Sequence, residues 1–246
     1  MKRPLCAGLP ALVVGLCGCS SAAPAPEHGS AVEHGAALFA DASVAGTSFN
    51  AFSCATCHAA DPASAGDTIL VGAPLAGAVR RPSYWNGAEL DLLRAANACL
   101  YYFMLDVTPW TPDDPDAQAI YAYLDSLPST AADEEPVPFT LARLVEDPGD
   151  GDAERGASVY ARSCQRCHGG AHTADGRLHT RIPRLPEDSI EEHAPPDYDA
   201  AARRLIFVEK VRHGGFFGYG GEMAPFSLEK LSDAELADVL QFLGPY

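Results

Sequence analysis

Basic residues are scarce in this 246-residue chain: 17 Lys and Arg stand against 33 Asp and Glu, a formal charge of −16. The acids are spread along the chain rather than gathered in one tail. A surface of that sign repels nucleic acid and anionic lipid and argues against both as partners. It suits a partner protein with a basic docking face, or simple solubility. Methionine is scarcer still, with only Met1, Met104 and Met223 present. Long apolar runs are lacking too: the stretch from Leu9 to Leu16 is too short to span a bilayer as a mature helix, and nothing longer follows. The length allows one or two ordinary domains, and a hydrophobic fraction of 47% is normal for a globular protein.

What is present begins with a leader. Lys2 and Arg3 give a positive start ahead of the short apolar core, the pattern of an export signal. The core ends in Leu16-Cys17-Gly18-Cys19, which resembles the lipobox of bacterial lipoproteins. On that resemblance Cys19 becomes the lipidated first residue, and the mature protein is tethered in the cell envelope by lipid alone. Signal peptidase cleavage near Ala22 or Ala23 is the alternative. Loss of Lys2 and Arg3 leaves 15 basic against 33 acidic residues, so the mature chain carries about −18.

Two stretches read as connectors. Residues 19–30 are small and Pro-rich, as a flexible tether would be. Residues 128–151 carry Asp133, Glu134, Glu135, Pro136, Pro138, Pro148 and Gly149 and mark a boundary. The chain divides into a leader over 1–18, a tether over 19–30, a first domain over 31–127, a linker over 128–151 and a second domain over 152–246.

Each half repeats one pentapeptide: Cys54-Ala55-Thr56-Cys57-His58 and Cys164-Gln165-Arg166-Cys167-His168. Two thiols about one helical turn apart can each add to a vinyl group on a haem edge, and the adjoining His then lies under the iron as axial ligand. Zinc knuckles or disulfides could use the same four Cys, but neither explains a His directly after both pairs. The expectation is two covalent haem c groups, held by Cys54, Cys57, Cys164 and Cys167, with His58 and His168 on the irons.

The wider pattern resembles class I cytochrome c domains. Gly35 and Phe39 precede the first motif and Gly156 and Tyr160 the second; Pro74-Leu75 and Pro183-Arg184-Leu185 follow by 16 and 15 residues. The resemblance implies that the loop Pro carbonyl accepts a hydrogen bond from the haem His, fixing its tautomer. Arg80, Arg81 and Arg184 become candidates for pairing with haem propionates. It also implies a last helix crossing the first at the Gly, with Tyr123 and Phe242 packed there. Asp114-Pro115 and the Ser232 to Glu235 capping box are good starts for those last helices. The fold expected is all-α, two tandem cytochrome c domains each wrapped round one haem. One departure is an insertion, for Gly35 precedes Cys54 by 19 residues and Gly156 precedes Cys164 by eight.

Sixth ligands decide what such irons do. Gly220-Gly221-Glu222-Met223-Ala224-Pro225-Phe226 resembles the Met-ligand loop of that family, with one residue inserted before Pro. Met223 is therefore expected on the second iron, with His213 as the main competitor. In the first half Met104 is the remaining Met and Cys99 the remaining Cys, five residues apart. Five residues on a helix are about 140° apart in angle, so the two compete for one iron. Asn97-Ala98-Cys99 with Met104 resembles the first domain of thiosulfate dehydrogenases and related sulfur-oxidising cytochromes, where the Cys is the axial ligand. The function expected is electron transfer between periplasmic redox partners, with Met104 on the first iron. A thiosulfate dehydrogenase-like enzyme using Cys99 is the alternative. A two-haem peroxidase, which needs a displaceable site, ranks lower because Met104 and Met223 close both irons.

Overall fold

A computed structural model describes residues 29–215 and 221–244. The leader, Cys19 and most of the tether lie outside the described residues, as does Gly220 of the Met223 loop. The described residues are all-α: there is no strand among them, only an isolated antiparallel bridge between Tyr84 and Glu89. No helix among them is long and apolar enough to cross a membrane.

Six helices of ten residues or more carry the fold: α1 (Ala31–Ala40), α2 (Leu92–Met104), α3 (Pro115–Ser126), α4 (Ala153–Ser163), α5 (Ala200–His213) and α6 (Asp233–Leu243). Each starts on a Ser or Asp whose side chain accepts a first-turn N–H: Ser30, Asp91, Asp114, Asp152, Asp199 and Ser232. Ser30 and Ser232 complete full capping boxes with Glu33 and Glu235.

The two halves are built on the same crossing. Helix α1 packs on α3 in the first half, and α4 packs on α6 in the second. A Cβ on Gly35 would lie 2.0 Å from the Ala119 carbonyl oxygen, and one on Gly156 would lie 1.9 Å from that of Asp238. Only glycine allows such close backbone approach. An aromatic pair seals each crossing: Phe39 with Tyr123, ring centroids 5.4 Å apart, and Tyr160 with Phe242, 5.6 Å apart. Phe and Tyr have exchanged helices between the halves, and the geometry is kept.

The insertion in the first half forms a 3-10 turn over Ala42–Ala45. Its Val44 and Ala45 are buried against Leu100, Phe103 and Met104 of α2, so the extra residues wall one side of that helix. The linker is tied down along its length rather than loose. The Asp133 carbonyl accepts from Arg81 Nε (2.8 Å), Phe139 stacks edge-on against Trp85 (5.2 Å), and Asp147 pairs with Arg204 (2.7 Å). The halves also touch directly. Ile69 N–H donates to the Arg162 carbonyl (2.9 Å), and Arg166 Nη2 donates to the Ala55 carbonyl (2.9 Å). The second contact joins one Cys-x-x-Cys-His segment to the other.

Candidate haem sites

In each half the pentapeptide folds as a short helical turn, over Cys54–Cys57 and Gln165–His168. His58 Nδ1 lies 2.8 Å from the Ala73 carbonyl oxygen, and His168 Nδ1 lies 2.9 Å from that of Pro183. In both cases the acceptor is 15 residues beyond the His. The first half thus corrects the expectation, because the acceptor is the residue before Pro74. The Pro74 carbonyl instead accepts from Arg81 Nη2 at 2.9 Å. A proton held on Nδ1 leaves the Nε2 lone pair to bind a metal. Burial disfavours the charged form of both rings and keeps them neutral; beside His58, Lys230 and Arg81 push the same way. Gly72 lets its loop lie flat on the His58 ring, since a Cβ there would come within 2.4 Å of Cε1 and Nδ1.

His58 opens onto a large cavity of about 1420 Å³, counting its mouth. Cys54, Cys57, Cys99 and Met104 line the same cavity, so both sixth-ligand candidates of the first half meet in one place. The rest of the wall is mostly apolar, with Phe39, Phe52, Leu100, Phe103 and Trp110 from the first half. Val137, Pro138 and Phe139 come from the linker, and Ala224, Pro225, Ser227 and Lys230 from the second half. No Asp or Glu lines it, and its charged residues are Arg81 and Lys230. Met104 is buried among Val44, Ala45, Leu100 and Phe103. Burial pushes the Cys99 thiol pKa well up, and nearby Cys57 and Cys54 add to the shift. Burial likewise raises the thiols of Cys54 and Cys164 to about 11.

In the second half Met223 packs against a core of Val159, Tyr160, Cys164, Phe207, Val208, Phe226 and Leu236. The next residue, Ala224, packs on the first half's cluster around Met104. One loop thus serves both halves with successive side chains. His213 does not compete with Met223. It is buried with Nδ1 on Glu209 (2.5 Å) and Nε2 on the Ala142 carbonyl (2.6 Å), which occupies both ring nitrogens.

Of the two first-half arginines considered for propionates, Arg81 reaches the cavity wall and Arg80 does not. Arg80 pairs with Asp125 (2.9 Å) and Arg184 with Asp188 (3.3 Å). Lys230, Phe139 and Trp85 went unforeseen; their approach to the cavity is long-range, and no local pattern announces it.

The donor sets and the cavity fit haem c. Each half offers two thiols on one turn and a neutral imidazole aimed by a backbone carbonyl, and the first adds an apolar chamber of ample size. Residues 151–243 match the family profile described as cytochrome c oxidase, cbb3-type, subunit III. The second half is a cytochrome c domain. A domain of this kind implies haem c and redox chemistry in the second half. No curated protein matches the chain in sequence. Among solved structures it is similar to a thiosulfate dehydrogenase from Marichromatium purpuratum, at 19% identity and a TM-score of 0.43. That alignment covers 91% of this chain and 47% of the other, so the chain spans about half the length of that neighbour.

Proposed function

We propose that the protein is an exported two-haem cytochrome that passes electrons between redox partners in the bacterial cell envelope. The observation that carries this reading is the first-half cavity. Beyond the cytochrome c domain of the second half, a second Cys-x-x-Cys-His turn opens onto an apolar chamber lined by two sixth-ligand candidates. Cys54 and Cys57 would hold one haem with His58 and Met104 on its iron, and Cys164 and Cys167 the other with His168 and Met223. Haem c supplies one-electron cycling between ferrous and ferric iron, and the protein sets its potential and access. A thioether sixth ligand closes an iron to small molecules, as a carrier requires. The leader and Cys19 support export and a lipid anchor in the periplasm, and the charge of −16 favours donors and acceptors with basic faces.

The decisive experiment is a count of haem that survives denaturation and acid-acetone extraction. Two haems per chain are expected, falling to one when either Cys54 and Cys57 or Cys164 and Cys167 are changed to Ala. Haem that extracts freely, or one haem per wild-type chain, would overturn the proposal.

One observation favours a second reading. Cys99 lines the same cavity as Met104, and a thiolate on that iron would suit a thiosulfate-oxidising enzyme better than a carrier.

A further inference from the structure

The cavity of the first half holds an electrostatic imbalance. Arg81 is 9% exposed and Lys230 is half-buried, yet no ion pair among the described residues involves either of them. Arg81 gives Nε to the Asp133 carbonyl and Nη2 to the carbonyls of Pro74 and Ala76. Neutral acceptors satisfy those protons, and the nearby Asp133 carboxylate is turned to Thr130, outside the cavity wall. Lys230 follows the Ser227 turn that leads into α6, so it reaches the first half's cavity from the cytochrome c domain. Taking cations out of water is unfavourable unless anions meet them. An apolar chamber with two cations and no carboxylate in its wall is complementary to an apolar ligand bearing two carboxylates.

We propose that Arg81 and Lys230 form a carboxylate clamp for the propionates of the first haem, one cation from each half of the chain. The clamp rests on the proposal that haem is attached at Cys54 and Cys57. Its consequence is that the second half sets the potential of the first haem. A cation near the haem favours ferrous over ferric iron, because the iron gains a positive charge on oxidation.

The test is redox titration and resonance Raman spectroscopy of the full-length protein as wild type, Lys230→Gln and Lys230→Arg. Lys230→Gln should retain both covalent haems. The first haem's ferrous-to-ferric ratio at a fixed ambient potential should fall on the order of tenfold, and its propionate-bending bands should shift. Lys230→Arg should restore both readings, which a merely structural role would not predict. The second haem's wave, identified because Met223→Ala moves it, should stay in place. An unmoved first wave with unchanged propionate bands in Lys230→Gln, both haems retained, would overturn the clamp. If Lys230→Gln fails to mature, Lys230→Met, which keeps the apolar stem, takes its place with the same two outcomes. Peptide mapping that finds haem on Cys164 and Cys167 alone in the wild type would instead sink the underlying two-haem reading.

Discussion

The two halves share a frame and differ in how they are closed. Both cross their first and last helices at a glycine and seal the crossing with a Phe and Tyr pair. Both aim the motif His at a carbonyl 15 residues on. They diverge in what surrounds that frame. The second half's core is drawn mainly from its own residues, with Ile69 and Val71 of the first half and Val145 of the linker added. The first half's chamber borrows walls from its insertion, the linker and the second half. The helix-crossing frame is therefore a local property of each repeat, whereas the first chamber belongs to the whole chain.

The shared frame is broken most severely at the crossing itself. Gly35→Ala and Gly156→Ala each force a Cβ to about 2 Å from a backbone carbonyl, which no rotamer can relieve. Overpacking of that kind costs about 3 kcal/mol or more. Denaturant unfolding should show a large and similar loss for both variants. A tolerated Gly35→Ala beside a ruinous Gly156→Ala would show that the repeat is only superficial.

A smaller and one-sided loss is expected at Gly72, against the His58 ring. Gly72→Ala should displace the imidazole, weaken its bond to the Ala73 carbonyl and cost about 1–3 kcal/mol. The first haem's spectrum should change while the second's holds. Equal disturbance of both would mean that the sites are not independent at this level.

The helix ties sharpen the contrast further. In the second half Asp238 accepts Nε and Nη2 of Arg155 and the Asp152 N–H, all within 2.8 Å. The same crossing in the first half is bridged by His34 and Asp116 at 2.8 Å. Those three donors hold the Asp238 carboxyl below its ordinary range. A carboxylate with a lowered folded pKa stabilises above its unfolded value, about 3.9, and the contribution fades as pH falls through the folded value. Asp238→Asn should therefore destabilise near neutrality, with a difference from wild type that shrinks steadily below about pH 4. A penalty that stays constant down to pH 2 would mean that packing, not charge, holds this crossing.

Much of this frame was legible in the sequence because its determinants are local. The Cys-x-x-Cys-His turns, the Gly with an aromatic four residues later, and the caps at Asp114 and Ser232 lie within a turn or two of what they specify. The corrections share a different cause. Ala73 rather than Pro74 receives His58, and Arg81, seven residues beyond Pro74, takes the proline carbonyl. His213 is withdrawn from metal binding by Ala142, 71 residues away. Residues 128–151 read as a boundary by composition, which says nothing of how Phe139 and Asp133 anchor them. Spacing along the chain carries no information on such pairings, which depend on how the halves dock.

The smallest effect is expected at Cys99, and there the comparison between the halves turns into a choice of function. If the repeat extends to the irons, Met104 does for the first what Met223 does for the second. Cys99 is then a neutral neighbour, and its apolar surroundings favour that state. Burial pushes its thiol far up, so a thiolate forms there only at considerable cost. A nearby ferric iron works the other way, since a metal can deprotonate a thiol that coordinates it. Both side chains line the cavity, and their positions on α2 allow one but not both to hold the iron. Electron paramagnetic resonance of the oxidised protein separates the cases, because thiolate-ligated and thioether-ligated low-spin irons give different signals. Cys99→Ala should leave the first haem's signal in place and cost about 1 kcal/mol of stability for the lost sulfur. Met104→Ala should alter that signal and open the iron to carbon monoxide. The reverse pattern, with thiosulfate reducing the wild-type haems and not those of Cys99→Ala, would end the symmetry of the halves. The first would then be an enzyme site and the second its electron outlet.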